Sequence, residues 1–484
     1  MNLLSGIPAL VRRVDRALTR HALALGLIFS ALLAAATAAY NLTVGPLHNL
    51  NDIGTWHNRL LFTAMTAAAH ALLLALLTLL YRKSALRLAL RQLIVTAGLL
   101  IAWLAINQKS YAFMQQTLPL VRAMDADGLS AVASLQTNLS APSLTLLYAV
   151  TRGPVYDMYL LKLLSIFCFA ALALLAMRAA DARAMGWRAE TALALCLILP
   201  QGFMAAACAG LPGHACVLLT ALSLALCLGW LDGRERPIPG ALCYGLAIAV
   251  SGLALYALPA FALLIWKKRL KPSALAISAA VAVCACLPAI GFGMPATQAL
   301  CSLLRANFAA PAFASGAPSL LNLFPRAAVE EMPGYVLLSR LPAIDTVTNA
   351  QPYYTQAHME IAMRSVTLLG LALLLGVWAL ALRDKGASPL RRALALTLGA
   401  LFVCPGASSA AWLAADMLCV LALLAEPKLR LPACLTLFAT MGAGAYPVTG
   451  ETQLPVFIAS ALAFAALLML LNIFPAGEEE NADG

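Results

Sequence analysis

The sequence has little charge. Of its 484 residues, 11% are Asp, Glu, Lys or Arg, against roughly 25% in an ordinary soluble domain. A chain this long and this poor in charge has no way to clothe itself in a water-facing surface, so its solvent is largely lipid. It also lacks any polar interval of domain size between its apolar runs, which points to one membrane domain. Gly-x-Ser-x-Gly, P-loop, dinucleotide-fingerprint and His-x-x-x-His motifs are all absent, which argues against a nucleotide-driven pump and against the hydrolases those motifs serve. No Cys-x-x-Cys pair occurs among the 12 cysteines. Cys168, Cys196, Cys216, Cys227, Cys284 and Cys419 lie inside apolar runs, where they behave as small hydrophobes. Cys284-Ala285-Cys286 is too close-set and apolar for zinc, and His70 and His214 read as packed or hydrogen-bonded side chains.

What the sequence does have is apolar length: 62% of its residues are hydrophobic. A spanning helix needs about 20 apolar residues, fewer where it is broken inside the protein. Runs fall near 22–40, 59–81, 86–105, 156–177, 189–209, 214–231, 239–251, 253–266, 273–292, 361–382, 393–404, 409–425, 429–447 and 454–474. The stretch 239–266 breaks at Ser251-Gly252 and reads as two short helices, up and back; 393–425 breaks likewise at Pro405-Gly406. The run at 22–40 ends in Ala36-Thr37-Ala38, which mimics a signal-peptidase site, but its basic leader and spanning length fit an uncleaved first helix.

The net charge of +11 is distributed as short basic clusters between these runs: Arg12 to Arg20, Arg82 to Arg91, Arg178 to Arg188, Lys267 to Lys271 and Arg383 to Arg392. That is the positive-inside pattern rather than a nucleic-acid face, and no nucleic-acid partner is expected. With both termini inside, 23 of the 32 Lys and Arg fall on the cytoplasmic side, 7 outside, and Lys162 and Arg364 within spans. The expected fold is therefore all-α: a polytopic transmembrane helical bundle of about 12–14 segments in the cytoplasmic membrane. It is a single membrane domain over 1–484 with two long extracytoplasmic loops, near 106–155 and 293–360.

Candidate chemistry lies mostly on those loops. Asp125-Ala126-Asp127 follows an amphipathic stretch; two carboxylates at this spacing can share a divalent cation such as Mg or Mn, or one can act as a base, or the pair can simply cap a helix at Gly128. Asp52, beside Trp56 and His57, reads either as a sugar-binding acid with an aromatic face or as a helix cap next to an interfacial anchor. Asp157 and Lys162 sit in the outer half of the fourth span, and Asp416 lies mid-span, where ionisable groups face cavities or partners. Arg305, Arg326 and Arg340 on the second loop suit a lipid-linked phosphate, or pair with Glu330, Glu331 and Asp345 or with lipid headgroups.

Three stretches carry a family resemblance. Gly153-Pro154-Val155-Tyr156-Asp157-Met158-Tyr159-Leu160-Leu161-Lys162 is similar to the segment, bearing Pro and Tyr and ending in Leu-Lys, that begins the helix after an acidic outer loop. Pro239 to Arg269 is similar to an up-and-down pair closed by a basic cluster. Ala317-Pro318-Ser319-Leu320-Leu321-Asn322-Leu323-Phe324-Pro325 is similar to an Asn-Ala-Pro-Asn-Leu-type segment of a second outer loop. In this order they resemble the GT-C superfamily of membrane glycosyltransferases, especially bacterial members related to polyprenyl-phosphate-mannose mannosyltransferases. The likeness spans about 106–330 and implies a core within 86–330, an added amphipathic segment and hairpin at 1–85, and C-terminal helices over 331–484.

The sequence departs from that pattern in two places. Lys109-Ser110-Tyr111 stands where an acid often opens the first loop, and Cys208-Ala209-Gly210-Leu211-Pro212-Gly213-His214 lacks a carboxylate that relatives carry. The resemblance implies transfer of a sugar from a polyprenyl-phosphate donor, with membrane lipids as surroundings. Asp125, Asp127 or Asp52 would be the catalytic base; Arg305, Arg326, Asn322, Lys109, Asp157, Lys162 and Trp56 would be on the substrate side. A transporter or flippase, or a GT-C-shaped protein without catalysis, are the alternatives.

Overall fold

The structure is a computed structural model and describes residues 11, 13–43, 56–81, 83–108, 110, 113–134, 139–152, 157–208, 211–308, 316–323, 335–339, 343–345, 353–355, 358–384, 386–403, 407, 409–444 and 454–473. Each apolar run of the sequence appears as helix, because a continuous apolar segment in lipid satisfies its backbone only internally.

The first three helices are α1 (Ala22–Thr43), α2 (Trp56–Leu80) and α3 (Ala85–Trp103). The buried face of α1 is Ala22, Gly26, Ser30, Ala34, Thr37 and Asn41, small or polar residues at three- and four-residue spacing that let neighbouring backbones approach. A Cβ at Gly26 would meet the Thr78 side chain at 2.6 Å. Gln92 of α3 ties the three helices together, donating to Gly26 O at 3.0 Å and to the hydroxyls of Ser30 and Thr78, each at 2.9 Å. Ahead of α1, Asp15 caps the start of α3, accepting from Ser84 Oγ and Leu86 N, both at 3.0 Å.

The first long loop folds into α4 (Leu118–Ser134) and α5 (Ala141–Thr151). Next comes α6 (Asp157–Ala182), then one apolar run interrupted around Pro200 into α7 (Arg188–Leu197) and α8 (Gln201–Cys208), then α9 (Leu211–Cys227). Proline cannot donate to the helix ladder, so the run divides there.

The expected break follows. α10 (Pro237–Val250) ends at Ser251, whose backbone is extended (φ −160°, ψ 146°), and the chain resumes as a 3-10 turn (Gly252–Ala257) and α11 (Leu258–Trp266). The chain does turn back. The rings of Tyr244 and Phe261 stack at 4.0 Å, and Arg269, after α11, meets Glu235, before α10, at 3.5 Å. The carbonyls freed by the break are satisfied by side chains: Ser140 donates to Ala249 O (2.5 Å), Ser143 to Val250 O, and Asn307 to Ile248 O (3.2 Å). A broken helix at membrane depth is tolerated on that condition.

α12 (Ser273–Cys284), α13 (Leu287–Gly291) and α14 (Ala296–Phe308) lead into the second long loop. That loop also carries four short strands. β1 (Tyr335–Ser339) pairs antiparallel with β4 (His358–Ala362), and β2 (Ala343–Asp345) with β3 (Tyr353–Thr355), as two separate two-stranded sheets. Their β-branched and aromatic residues, Val336, Ile344, Tyr353, Tyr354 and Ile361, favour strand over helix. The chain closes with α15 (Met363–Arg383), α16 (Pro389–Val403), α17 (Ser409–Ala425), α18 (Arg430–Ala443) and α19 (Val456–Leu470). The separation of α16 from α17 matches the expected break near Pro405.

Among the described residues, five helices are long and apolar enough to cross a membrane: Ala22–Thr43, His57–Leu80, Ala85–Trp103, Tyr159–Ala182 and Ser273–Gly291. Seven further apolar helices have 10–17 residues. The fold is a helical bundle built for lipid.

Candidate functional site

Asp125 and Asp127 lie on α4, both exposed, immediately before Gly128. Gly128 has φ 77° and ψ −171°, a conformation that favours glycine, and it interrupts the helix there. Residues two apart on a helix point about 200° apart around the axis, since each step turns by about 100°. The two carboxylates therefore do not share a face, and no group of three His, Cys, Asp or Glu among the described residues could hold a metal ion. This geometry does not favour a divalent cation shared between the two carboxylates.

Arg305 is in the last turn of α14, also exposed. α14 packs against α4, α5 and the 3-10 turn of the broken helix. The amphipathic helices of the region before α6 and of the region after α13 are thus neighbours.

Other candidates are occupied by the chain itself. Lys162 is fully buried, and its Nζ donates to Ile106 O at 2.5 Å and Gln108 O at 2.6 Å. These carbonyls follow the end of α3, where a cation complements the helix dipole and unpaired C=O groups. Asn322 is buried and donates to Ala317 O at 2.6 Å, while Ser319 N donates to Ser460 Oγ at 3.1 Å and Leu320 N to Phe402 O at 2.8 Å. The segment 317–323 is thereby pinned between α16 and α19. Trp56 and Asp157 are the first residues of α2 and α6. Asp52, Lys109, Arg326 and Arg340 lie outside the described residues.

Asp416 of α17 is buried and accepts from Thr440 Oγ1 of α18 at 2.7 Å and from Gln201 Nε2 of α8 at 3.4 Å. His70 bonds Thr96 Oγ1 at 3.0 Å and meets the Trp103 ring edge-on. Both are packed polar groups inside the bundle.

Two features escaped the sequence reading. The basic clusters near Arg87 and Arg188 contain two acids, Asp181 and Glu190, and the fold gathers these into a buried ionic knot with Arg87 and Arg91. Acids inside an otherwise basic cluster were the available signal. The second feature is a small apolar pocket, of about 90 Å³, between α6, α9, α16, α17 and the 3-10 turn. It had no signal, because its lining consists of ordinary Ala and Leu from five separate segments. None of the sequence-selected residues lines it.

Compared with known protein families, curated proteins and solved structures, the chain matches none. The likeness to glycosyltransferases rests on the local stretches quoted above.

Proposed function

We propose that the protein is a membrane glycosyltransferase of GT-C type that moves a sugar from a polyprenyl-phosphate donor to an acceptor at the outer face of a bacterial cytoplasmic membrane. In this reading the 12–14 segments thread with both termini cytoplasmic, following the basic clusters. The observation that carries it is the contact between α4, with exposed Asp125 and Asp127, and α14, with exposed Arg305. Exposed acids on one helix and an exposed cation on the helix packed against it are groups that acceptor activation and phosphate departure need.

One carboxylate, Asp125 or Asp127, takes the proton of the acceptor hydroxyl as its oxygen attacks the anomeric carbon. The bond to the donor phosphate breaks, and the phosphate leaves as an anion. Arg305, and Arg326 on the same loop, offset its growing charge through N–H donors. Asp52 is the reserve base beside Trp56.

The test is transfer from a polyprenyl-phosphate sugar by the purified full chain in lipid vesicles. Loss of a general base typically lowers the rate by about 10²–10⁴-fold, so Asp125→Asn or Asp127→Asn should show that loss with expression unchanged. Arg305→Ala should chiefly raise the donor KM. Full activity in both Asn variants, or no transfer from any polyprenyl-phosphate sugar, defeats the reading. Buried Asp416, bonded to Thr440 and Gln201, favours a second reading as a transporter, for which ionisable groups inside a bundle are the usual machinery.

A further inference from the structure

The interior between α1, α2 and α3 is a polar seam. On α2, Thr63, Thr66, His70 and Thr78 recur at helical spacing, each buried, with Tyr81 just past the helix end. Gln92 and Thr96 meet them from α3, and the buried face of α1 carries Ser30, Thr37 and Asn41. α1 and α2 pack as an antiparallel hairpin in which Gly26 is level with Thr78. Asn41 lies 15 residues on from Gly26, and Thr63 lies 15 residues back from Thr78. At 1.5 Å per residue the seam is therefore about 22 Å long, most of the roughly 30 Å of a bilayer's hydrocarbon.

Its hydrogen bonds leave polar atoms over. Thr96 has one hydroxyl proton and donates it to Gln92 O at 2.9 Å, so its 3.0 Å contact with His70 is an Nε2–H donating to Thr96 Oγ1. Nδ1 of His70 is then a bare acceptor, buried and without a donor among the described residues. Gln92 Oε1, both polar atoms of the Asn41 amide, Tyr81 OH and Trp103 Nε1 are buried and unpartnered in the same way. Helix packing needs none of them. Leaving such groups unmade is costly, and water held in a line between them is what satisfies them. Polar and ionisable residues inside a membrane bundle mark ion paths and proton relays. This seam has no carboxylate along its middle to hold a metal cation, but an imidazole and hydroxyls pass protons. Other titratable groups nearby are engaged or at its ends. Arg87, Arg91, Asp181 and Glu190 form the knot, Lys162 donates to Ile106 O and Gln108 O, and Tyr40, His57 and Arg59 lie toward the end opposite the knot.

We propose that the seam conducts protons between the knot and Asn41, with His70 as the carrier at its middle. A proton adds to the Nδ1 lone pair and gives the imidazolium. The Nε2–H proton then leaves toward Thr96 and water, and the ring is neutral again as the other tautomer. Turning the ring over restores the first arrangement. One proton enters, one leaves, and nothing is oxidised or reduced. The inference does not rest on the transferase reading, and it uses a different part of the bundle from Asp416.

The purified full chain in vesicles tests it. A pH-sensitive dye inside reads proton entry after an acid pulse, with K⁺ and valinomycin present to cancel the membrane potential. Vesicles with the protein should lose the pH difference faster than vesicles without it. A positioned proton carrier contributes about 10²–10⁴-fold, so His70→Gln should lower the protein-dependent rate by that order. Asn41→Leu should also slow it while melting no lower than wild type, because it replaces an unpartnered amide with an apolar group. Three results overturn the proposal: a wild-type rate equal to that of protein-free vesicles, an unchanged rate in His70→Gln, or K⁺ entry as fast as proton entry without valinomycin. Should His70→Gln fail to fold, an unchanged rate in Asn41→Leu overturns it instead.

Discussion

Arg91 and Asp181 are joined fork to fork, Nη1 to Oδ2 at 2.6 Å and Nη2 to Oδ1 at 2.7 Å, with the Arg91 side chain wholly buried. Arg91 Nε also donates to Glu190 Oε1 at 2.7 Å, and Arg87 reaches both oxygens of Glu190 at 2.8 and 2.6 Å. The Tyr81 ring centroid lies 3.8 Å from the Arg91 guanidinium carbon. Two cations balance two anions, and the knot fastens the start of α3 to the end of α6 and the start of α7.

Breaking one side of a buried pair strands the other charge, which costs about 3–5 kcal/mol. Arg91→Ala should therefore lower the unfolding temperature of the detergent-solubilised protein sharply. Arg91→Lys should rescue little, because an ammonium cannot reproduce the two-armed geometry. Arg87→Ala should cost less, since that side chain is 23% exposed. Equal melting of Arg91→Ala and wild type would refute the role of the knot.

The reversal at Ser251 depends on hydroxyls from α5. An unsatisfied buried backbone group costs about 1–3 kcal/mol, so Ser140→Ala and Ser143→Ala should each destabilise by that order and, together, loosen the packing of α5 on α10. Gly252→Ala should also destabilise, because a Cβ there runs into Ala306 O of α14. Hydrogen exchange across 247–257 reads both effects, and unchanged protection in the double serine variant counts against them.

Asp416→Asn keeps an oxygen for Thr440 and should melt close to wild type. Asp416→Leu leaves Gln201 Nε2 without its acceptor and should melt lower, by about 1 kcal/mol given the modest worth of such bonds in lipid. If Asp416→Leu alone abolishes a transport activity measured in vesicles while Asp416→Asn alters its pH profile, the transporter reading gains; wild-type behaviour of both removes its main support.

The proposed threading is checked by labelling single cysteines from outside in a background without the 12 native ones. Ala126→Cys and Ala314→Cys should react with an impermeant reagent, and Gly386→Cys should not. Reaction at Gly386→Cys reverses the orientation and with it the outer placement of Asp125 and Asp127.

Much of the helix pattern could be read from the chain alone, and the candidate site hardly at all. The break at Ser251-Gly252 was legible because 239–266 is too long for one span and contains a Ser-Gly pair. Lys162 shows the limit. An intramembrane lysine reads as functional from the sequence, yet its partners are the carbonyls of Ile106 and Gln108, some 56 and 54 positions earlier, and backbone acceptors leave no mark in side-chain identity. Asp125-Ala126-Asp127 shows another: the spacing suggests a shared cation only if the backbone is not helical, and here it is.

What the sequence determined by itself is the solvent of the protein and the positions of its helices, because apolar length, proline and glycine act locally and through the backbone. Which polar groups meet was decided by tertiary packing alone. The knot of Arg91, Asp181 and Glu190, the pinning of Ser319 on Ser460, and the bond of Asp416 to Thr440 and Gln201 each join residues from separate segments. Their energy lies in geometry between helices, on which no local pattern bears.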